Sequence, residues 1–124
     1  MGDDAARHTI EGLFEGHPDG LAICRAVEAA VLALGPVQVR VTKSQVTFAR
    51  RRGFAFVWRP GQYVRSDVPA VLSIALPRAV TSSRIKEVVH PSGRVWVHHL
   101  ELWATSEVDD EIGNWLAEAY DAAA

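Results

Sequence analysis

The pair His98-His99, with Glu101 two residues on and His90 shortly before, is the part of this chain whose side chains come closest to a reactive site. Imidazoles and carboxylates at short spacing are the donors of zinc sites and the partners of acid–base catalysis. On an extended strand, neighbouring residues point to opposite faces. His98 and His99 therefore cannot chelate one ion together, whereas His99 and Glu101 share a face. Two ligands fall short of a zinc site, because Cys24 lies in an apolar helical pattern and His8 and His17 lie in the N-terminal segment. No metal and no cofactor are expected. Ser44, Ser73, Thr81, Ser82 and Ser83 lack a nucleophile-elbow motif, and the chain has no Gly-rich phosphate loop. Cys24, inside an apolar helix, reads as an inert packed thiol. Catalysis is thus the alternative reading: a small enzyme using His99 and Glu101.

The other chemistry in the sequence is anion contact, because charge is sorted by position. The net charge is only -2, yet from Pro36 to Val97 there are eleven Lys/Arg against two acids. Residues 1–35 carry six acids and two bases, and residues 98–124 carry seven acids and no Lys or Arg. The run Arg50-Arg51-Arg52, with Arg40, Lys43 and Arg59 near it and Phe54, Phe56 and Trp58 following, has the outline of a single-strand nucleic-acid surface. Two observations weigh against that role. The aromatics alternate in step and read as core facing the helices, and the overall pI near 6.2 is not that of a basic domain. The arginines are expected instead to keep hairpin ends soluble or to pair with the acidic C-terminal helix, and their replacement by Ala is expected to leave the fold intact. Oligonucleotides are expected to bind weakly and only at low salt.

The 124 residues, 48% of them hydrophobic and 23% charged, suit one globular domain with one core. Residues 1–8 read as a flexible tail. No apolar stretch is long enough to cross a bilayer, no secretory signal opens the chain, and a lone cysteine excludes a disulfide framework, so a cytoplasmic location is expected. Arg outnumbers Lys eleven to two, as in proteins from GC-rich bacterial genomes.

These residues must be positioned by elements that the periodicity outlines. Pro18 and Asp19 open a helix that Gly35-Pro36 closes near Leu34, and Thr9 can cap one or two turns before it. Period-two alternation predicts strands at Val37–Val41, Val46–Phe48, Phe54–Trp58, Ala70–Leu76 and Arg94–Trp103. Pro60-Gly61 reads as a type II turn, and 81–89 suits either a helical turn or a short strand. Ser106, with Asp109 three residues on, reads as the cap of a last helix to about Ala122.

The expected architecture is a two-layer α+β domain: an antiparallel meander of about five strands with N- and C-terminal helices on one face. Placing the large apolar residues under the helices leaves Gln38, Arg40, Thr42, Gln45, Thr47, Ala55, Val57, Arg59, Ser73, Ala75, Val97, His99 and Glu101 on the open face. His98 is expected to be buried and His99 accessible. A symmetric homodimer is the simplest cover for the small apolar residues Ala55, Val57, Ala75 and Val97.

Several short blocks, in this order, resemble a known family. They are Gly35-Pro36-Val37, Lys43-Ser44-Gln45-Val46-Thr47-Phe48, Ser83-Arg84-Ile85-Lys86-Glu87-Val88, Trp96-Val97-His98-His99-Leu100, and Asp109-Asp110-Glu111 leading to Trp115-Leu116 and Ala119-Tyr120. From about Leu13 to Tyr120 the chain is similar to the bacterial family called domain of unknown function 5655. The resemblance implies a stand-alone domain and no particular activity. Some relatives adjoin a zinc-ribbon-like or nuclease-like segment, and this chain has neither, which counts against a nucleic-acid role. The function expected is binding of an anionic small molecule or acidic protein on the basic open face, through Arg40, Lys43, Arg59, Arg84, Lys86 and His99. A closed concave pocket holding His99 would favour the enzyme instead, and a flat basic face would favour binding.

Overall fold

A computed structural model describes residues 8–124. Of the tail expected over 1–8, all but His8 lies outside the described residues. Thr9 caps the short helix α1 (Ile10–Leu13), its hydroxyl accepting from the Gly12 N–H at 2.9 Å. Helix α2 (Pro18–Leu32) starts on Pro18, whose missing N–H costs nothing in a first turn, and buries Gly20, Ile23, Cys24, Val27 and Val31. Burial pushes the Cys24 thiol up to about 12, with Glu28 acting in the same direction, so it stays protonated and unreactive.

The strands are β1 (Gln38–Val41), β2 (Val46–Ala49), β3 (Gly53–Trp58), β4 (Ala70–Leu76), β5 (Glu87–Ser92) and β6 (Val95–Leu102). They form one antiparallel sheet in the order β1-β2-β3-β4-β6-β5. The sheet thus has six strands rather than about five, and it is a meander only as far as β4. The segment after β4 bypasses the position beside it, builds β5 at the edge, and β6 returns to fill the gap. The ambiguous stretch 81–89 resolves into a turn at Ser83-Arg84 leading into β5. Pro60–Gln62 is a single 3₁₀ turn; Gly61 is not among the residues with positive φ, as a type II turn would require.

One irregularity sets the faces. Phe48 pairs with Ala55, but Ala49 pairs with Gly53, so Phe54 is an extra residue in β3, a β-bulge. A bulge breaks period-two alternation. Phe54 and Ala55 are both fully buried, and Phe54 packs edge-on against Tyr120, with ring centroids 5.7 Å apart. Beyond the bulge the phase is reversed from the alternation expected. Ala55 and Val57 face the core together with Val46, Leu72 and Ile74, while Phe56 and Trp58 lie on the open face. Ala55 and Val57 therefore leave the set of open-face residues on which the homodimer expectation rested.

Helix α3 (Asp110–Ala122) packs on β3, β4 and α2 and buries Ile112, Trp115, Leu116, Ala119 and Tyr120. It begins later than expected: Thr105–Glu107 is a 3₁₀ turn, and the cap is Asp109, not Ser106, accepting from Ile112 N–H at 3.2 Å. Arginines from the basic middle hold it along its length. Arg84 bonds Asp109 (3.0 Å), Glu111 (3.0 Å) and the Glu107 carbonyl (2.8 Å) at the N-terminal end. Arg78 forms a two-pronged bridge to Glu118. At the other end Arg50 and Arg52 donate to the Tyr120 and Ala122 carbonyls, each at 3.1 Å, and Arg50 lies 4.0 Å above the Tyr120 ring. Cations at a helix C-terminus satisfy free carbonyls and oppose the dipole. Two of the three arginines in the run thus contact the acidic C-terminal helix, in line with the expectation that they pair with it, and their replacement by Ala removes these contacts.

Among the described residues no helix is long and apolar enough to cross a membrane. Two glycines test the packing in opposite directions. A Cβ at Gly20 would lie 2.6 Å from the Pro69 carbonyl oxygen and 2.7 Å from the Phe14 ring, whereas one at Gly113, inside α3, meets nothing. Gly20→Ala is expected to destabilise by about 1–3 kcal/mol through overpacking, and Gly113→Ala to stabilise by roughly 0.5–1 kcal/mol. Urea denaturation curves of both variants check this, and a Gly20→Ala protein as stable as the parent would contradict the close approach.

Candidate functional site

Cross-strand pairing gathers the open face into rows. Arg40, Thr47, Phe56, Ser73, His99 and Glu87 lie opposite one another from β1 to β5, and Trp58, Val71 and Glu101 form a second row. The two faces of β6 separate its histidines as their alternation requires. His98 is 1% exposed; its Nε2 accepts from the Val80 N–H at 2.9 Å, and its Nδ1 lies 3.4 Å from the Ile74 carbonyl oxygen. His99 is half-buried and points the other way.

Over the second row the loop after β3 arches back and leaves a cavity of about 340 Å³ that is open to solvent on one side. Trp58, Pro60, Val64 and Val71 supply apolar walls, and Arg65, Lys86, Glu87, His99 and Glu101 supply charge and hydrogen bonding. The open face is thus concave around His99, not flat. The Tyr63 ring lies 6.3 Å from that of Trp58, and Trp58 meets His99 edge-on at 6.2 Å.

A directed chain of hydrogen bonds runs under this cavity. Trp58 Nε1 donates to Ser73 Oγ at 3.0 Å, and Ser73 Oγ lies 2.6 Å from His99 Nδ1. An indole N–H can only donate, so Ser73 must accept from Trp58. Ser73 is 3% exposed, and a buried hydroxyl proton needs an acceptor; His99 Nδ1 is the one in reach among the described residues. That assignment puts the imidazole proton on Nε2. Among the described residues Nε2 has no hydrogen-bond partner and is not sealed from solvent. The chain therefore ends in an N–H donor open to the cavity. Burial holds the His99 imidazole below its ordinary value of 6.5; Glu87 opposes the shift and His98 adds to it.

The six residues expected to form one basic site are not brought together. Lys86 and His99 line the cavity, and the Lys86 N–H donates to the His99 carbonyl at 2.8 Å. Arg84 is engaged by α3. Arg40 shares the face but lies four strands away, on β1. Arg59 does not lie on the open face: beyond the bulge it falls on the opposite side, where it and Lys43 flank a second hollow with Thr9, Gly12 and Leu13 of the α1 region. Glu101, the partner named for His99 in the enzyme reading, does line the same cavity. Among the described residues no cluster of three or more His, Cys, Asp or Glu side chains could hold a metal. Trp58 and Arg65 were missed, and Ser73 was placed on the open face without being joined to His99. The signal for Ser73 was present, a single hydroxyl in the apolar run AVLSIAL at the same phase as His99. Trp58 was hidden by the bulge and Arg65 by the irregular loop.

Residues 10–123 match the model of the family described as Domain of unknown function (DUF5655), and the chain belongs to that family. Neither the curated proteins nor the solved structures include a match.

The chain of donors makes a spectroscopic prediction. A histidine held below its free value binds its proton more weakly folded than unfolded, so its contribution to stability is full above 6.5 and is lost as pH falls through that value toward the folded one. Nitrogen-15 NMR at pH 7.5 is expected to show His99 neutral with the proton on Nε2, titrating below 6.5. A proton on Nδ1, or a midpoint above 6.5, would contradict the assigned direction.

Proposed function

We propose that this member of the family is a small-molecule-binding domain whose ligand presents an anionic or hydrogen-bond-accepting group to the cavity over Trp58, Ser73 and His99. The observation that carries the reading is the directed chain of donors ending at His99 Nε2–H, with Lys86 and Arg65 at the rim supplying positive charge. Apolar walls with a few placed polar groups are the usual composition of ligand sites, and about 340 Å³ lies at the small end of their range of ~300–1,000 Å³. An acidic protein partner is a weaker reading, since Arg84, Arg78, Arg50 and Arg52 are already engaged within the molecule and Arg40, Lys43 and Arg59 lie apart from Lys86. A long polyanion is weaker still for the same reason.

The concavity around His99 favours a second reading, a small enzyme in which His99 acts as general acid–base beside Glu101. In that case Ser73 is a positioning residue, not a nucleophile. Its hydroxyl is buried and already bonded on both sides, and an attacking oxygen must reach its substrate.

Titration calorimetry against a panel of small mono-anions, with the intact protein and three variants, tests the binding reading. Lys86→Ala and His99→Ala are each expected to weaken the best ligand by about 10- to 100-fold, the loss of one charge-assisted or desolvated hydrogen bond. Arg40→Ala is expected to leave it unchanged. Equal losses for Arg40→Ala and Lys86→Ala would mean a diffuse basic face rather than this cavity. Turnover of a bound ligand that His99→Gln abolishes while binding persists would favour the enzyme.

A further inference from the structure

The cavity holds charges of both signs, and among the described residues none of the four is neutralised by a neighbour. Arg65 and Lys86 line it together with Glu87 and Glu101, and none of them takes part in the ion pairs found, which join Arg25, Arg78 and Arg84 to acids elsewhere. Their placement is ordered. Glu101 stands on the sheet opposite Val71, and Glu87 opposite His99, so both carboxylates belong to the sheet side. Lys86 precedes β5 and Arg65 sits on the arching loop, so both cations belong to the rim. Both are exposed.

A ligand with only a negative charge would meet Glu87 and Glu101 at close range, and one with only a positive charge would meet Arg65 and Lys86. Like charges drawn together in a hollow repel, whereas a molecule carrying both signs finds each one opposed. The remaining wall, Trp58, Pro60, Val64 and Val71, is apolar and takes no charge. Resting on the binding reading above, we propose that the ligand is a zwitterion of the α-amino-acid class with an apolar or aromatic side chain. Its carboxylate lies toward Lys86, Arg65 and the His99 N–H, its ammonium toward Glu101, and its side chain against Trp58 and Val64.

Three probes separate the two charges by calorimetry on the full chain: L-phenylalanine, N-acetyl-L-phenylalanine, which lacks the cation, and L-phenylalaninamide, which lacks the anion. Phenylalanine is expected to bind at least about tenfold tighter than either analogue. Glu101→Gln is expected to weaken phenylalanine until it binds no better than the N-acetyl compound, and to strengthen the N-acetyl compound, from which a facing carboxylate charge has been removed; that binding also shows that the variant is folded. If N-acetyl-phenylalanine binds as tightly as phenylalanine, the zwitterion is wrong while the anion-binding reading survives. If the amide binds as tightly, both are wrong. Absence of heat from all three at about 10 mM, far weaker than any specific site, overturns the amino-acid class, and the mono-anion panel then decides the broader reading alone.

Discussion

Arginine side chains reaching from the connections between strands to the C-terminal helix are the interaction on which the rest of this structure depends. Helix α3 begins in a cluster of acids and contains no Lys or Arg, so its last turn has no cation of its own to oppose the negative end of its dipole. Arg50 and Arg52 supply that charge from the turn between β2 and β3. Arg84 occupies the other end, where its bonds hold the Asp109 carboxyl below the ordinary carboxylate range, and Arg78 does the same for Glu118 between the ends. Exposed ion pairs are individually weak. Here they act in series on one element whose apolar stripe also fills the core, and they fix how that stripe lies on β3 and β4.

The same contacts account for part of the charge sorting that dominates the sequence. Within one molecule, Arg78 and Arg84 of the basic middle pair with Glu118, Asp109 and Glu111 of the acidic end, and Arg50 and Arg52 meet the carbonyls of its last turn. The other cations of the middle are spread over the surface, and two of them converge. Lys86 and Arg65 meet at one cavity, and beneath it the donor chain from Trp58 through Ser73 fixes the polarity of His99. A tryptophan N–H at the root of such a chain cannot reverse its role, so the donor at its end is built into the fold rather than chosen by a ligand.

Much of this was legible in the sequence, and the exceptions have identifiable causes. Pro18, Gly35 and the apolar stripe of 112–120 mark both long helices because breakers and period are local signals. The opposite facing of His98 and His99 follows from strand geometry alone. The phase of β3 was not legible, since a bulge adds a residue without changing composition, and Phe54, Phe56 and Trp58 read as one stripe when only Phe54 faces the helices. Nor was β5, whose every residue is exposed and which owes its conformation to pairing with β6. The site suffered from both effects. His99, Lys86 and Glu101 could be named, but their separation from Arg59, Lys43 and Arg84 depends on the bulge and on partners far away in the chain.

The central claim, that arginines of the strand connections hold the acidic helix in place, is tested most directly by amide hydrogen exchange on an Arg78→Gln/Arg84→Gln protein. The account predicts that the amides of Ile112–Ala122 lose protection while those of β4 and β6, whose pairing and burial the substitutions leave intact, keep theirs. Unchanged protection across α3 would contradict it.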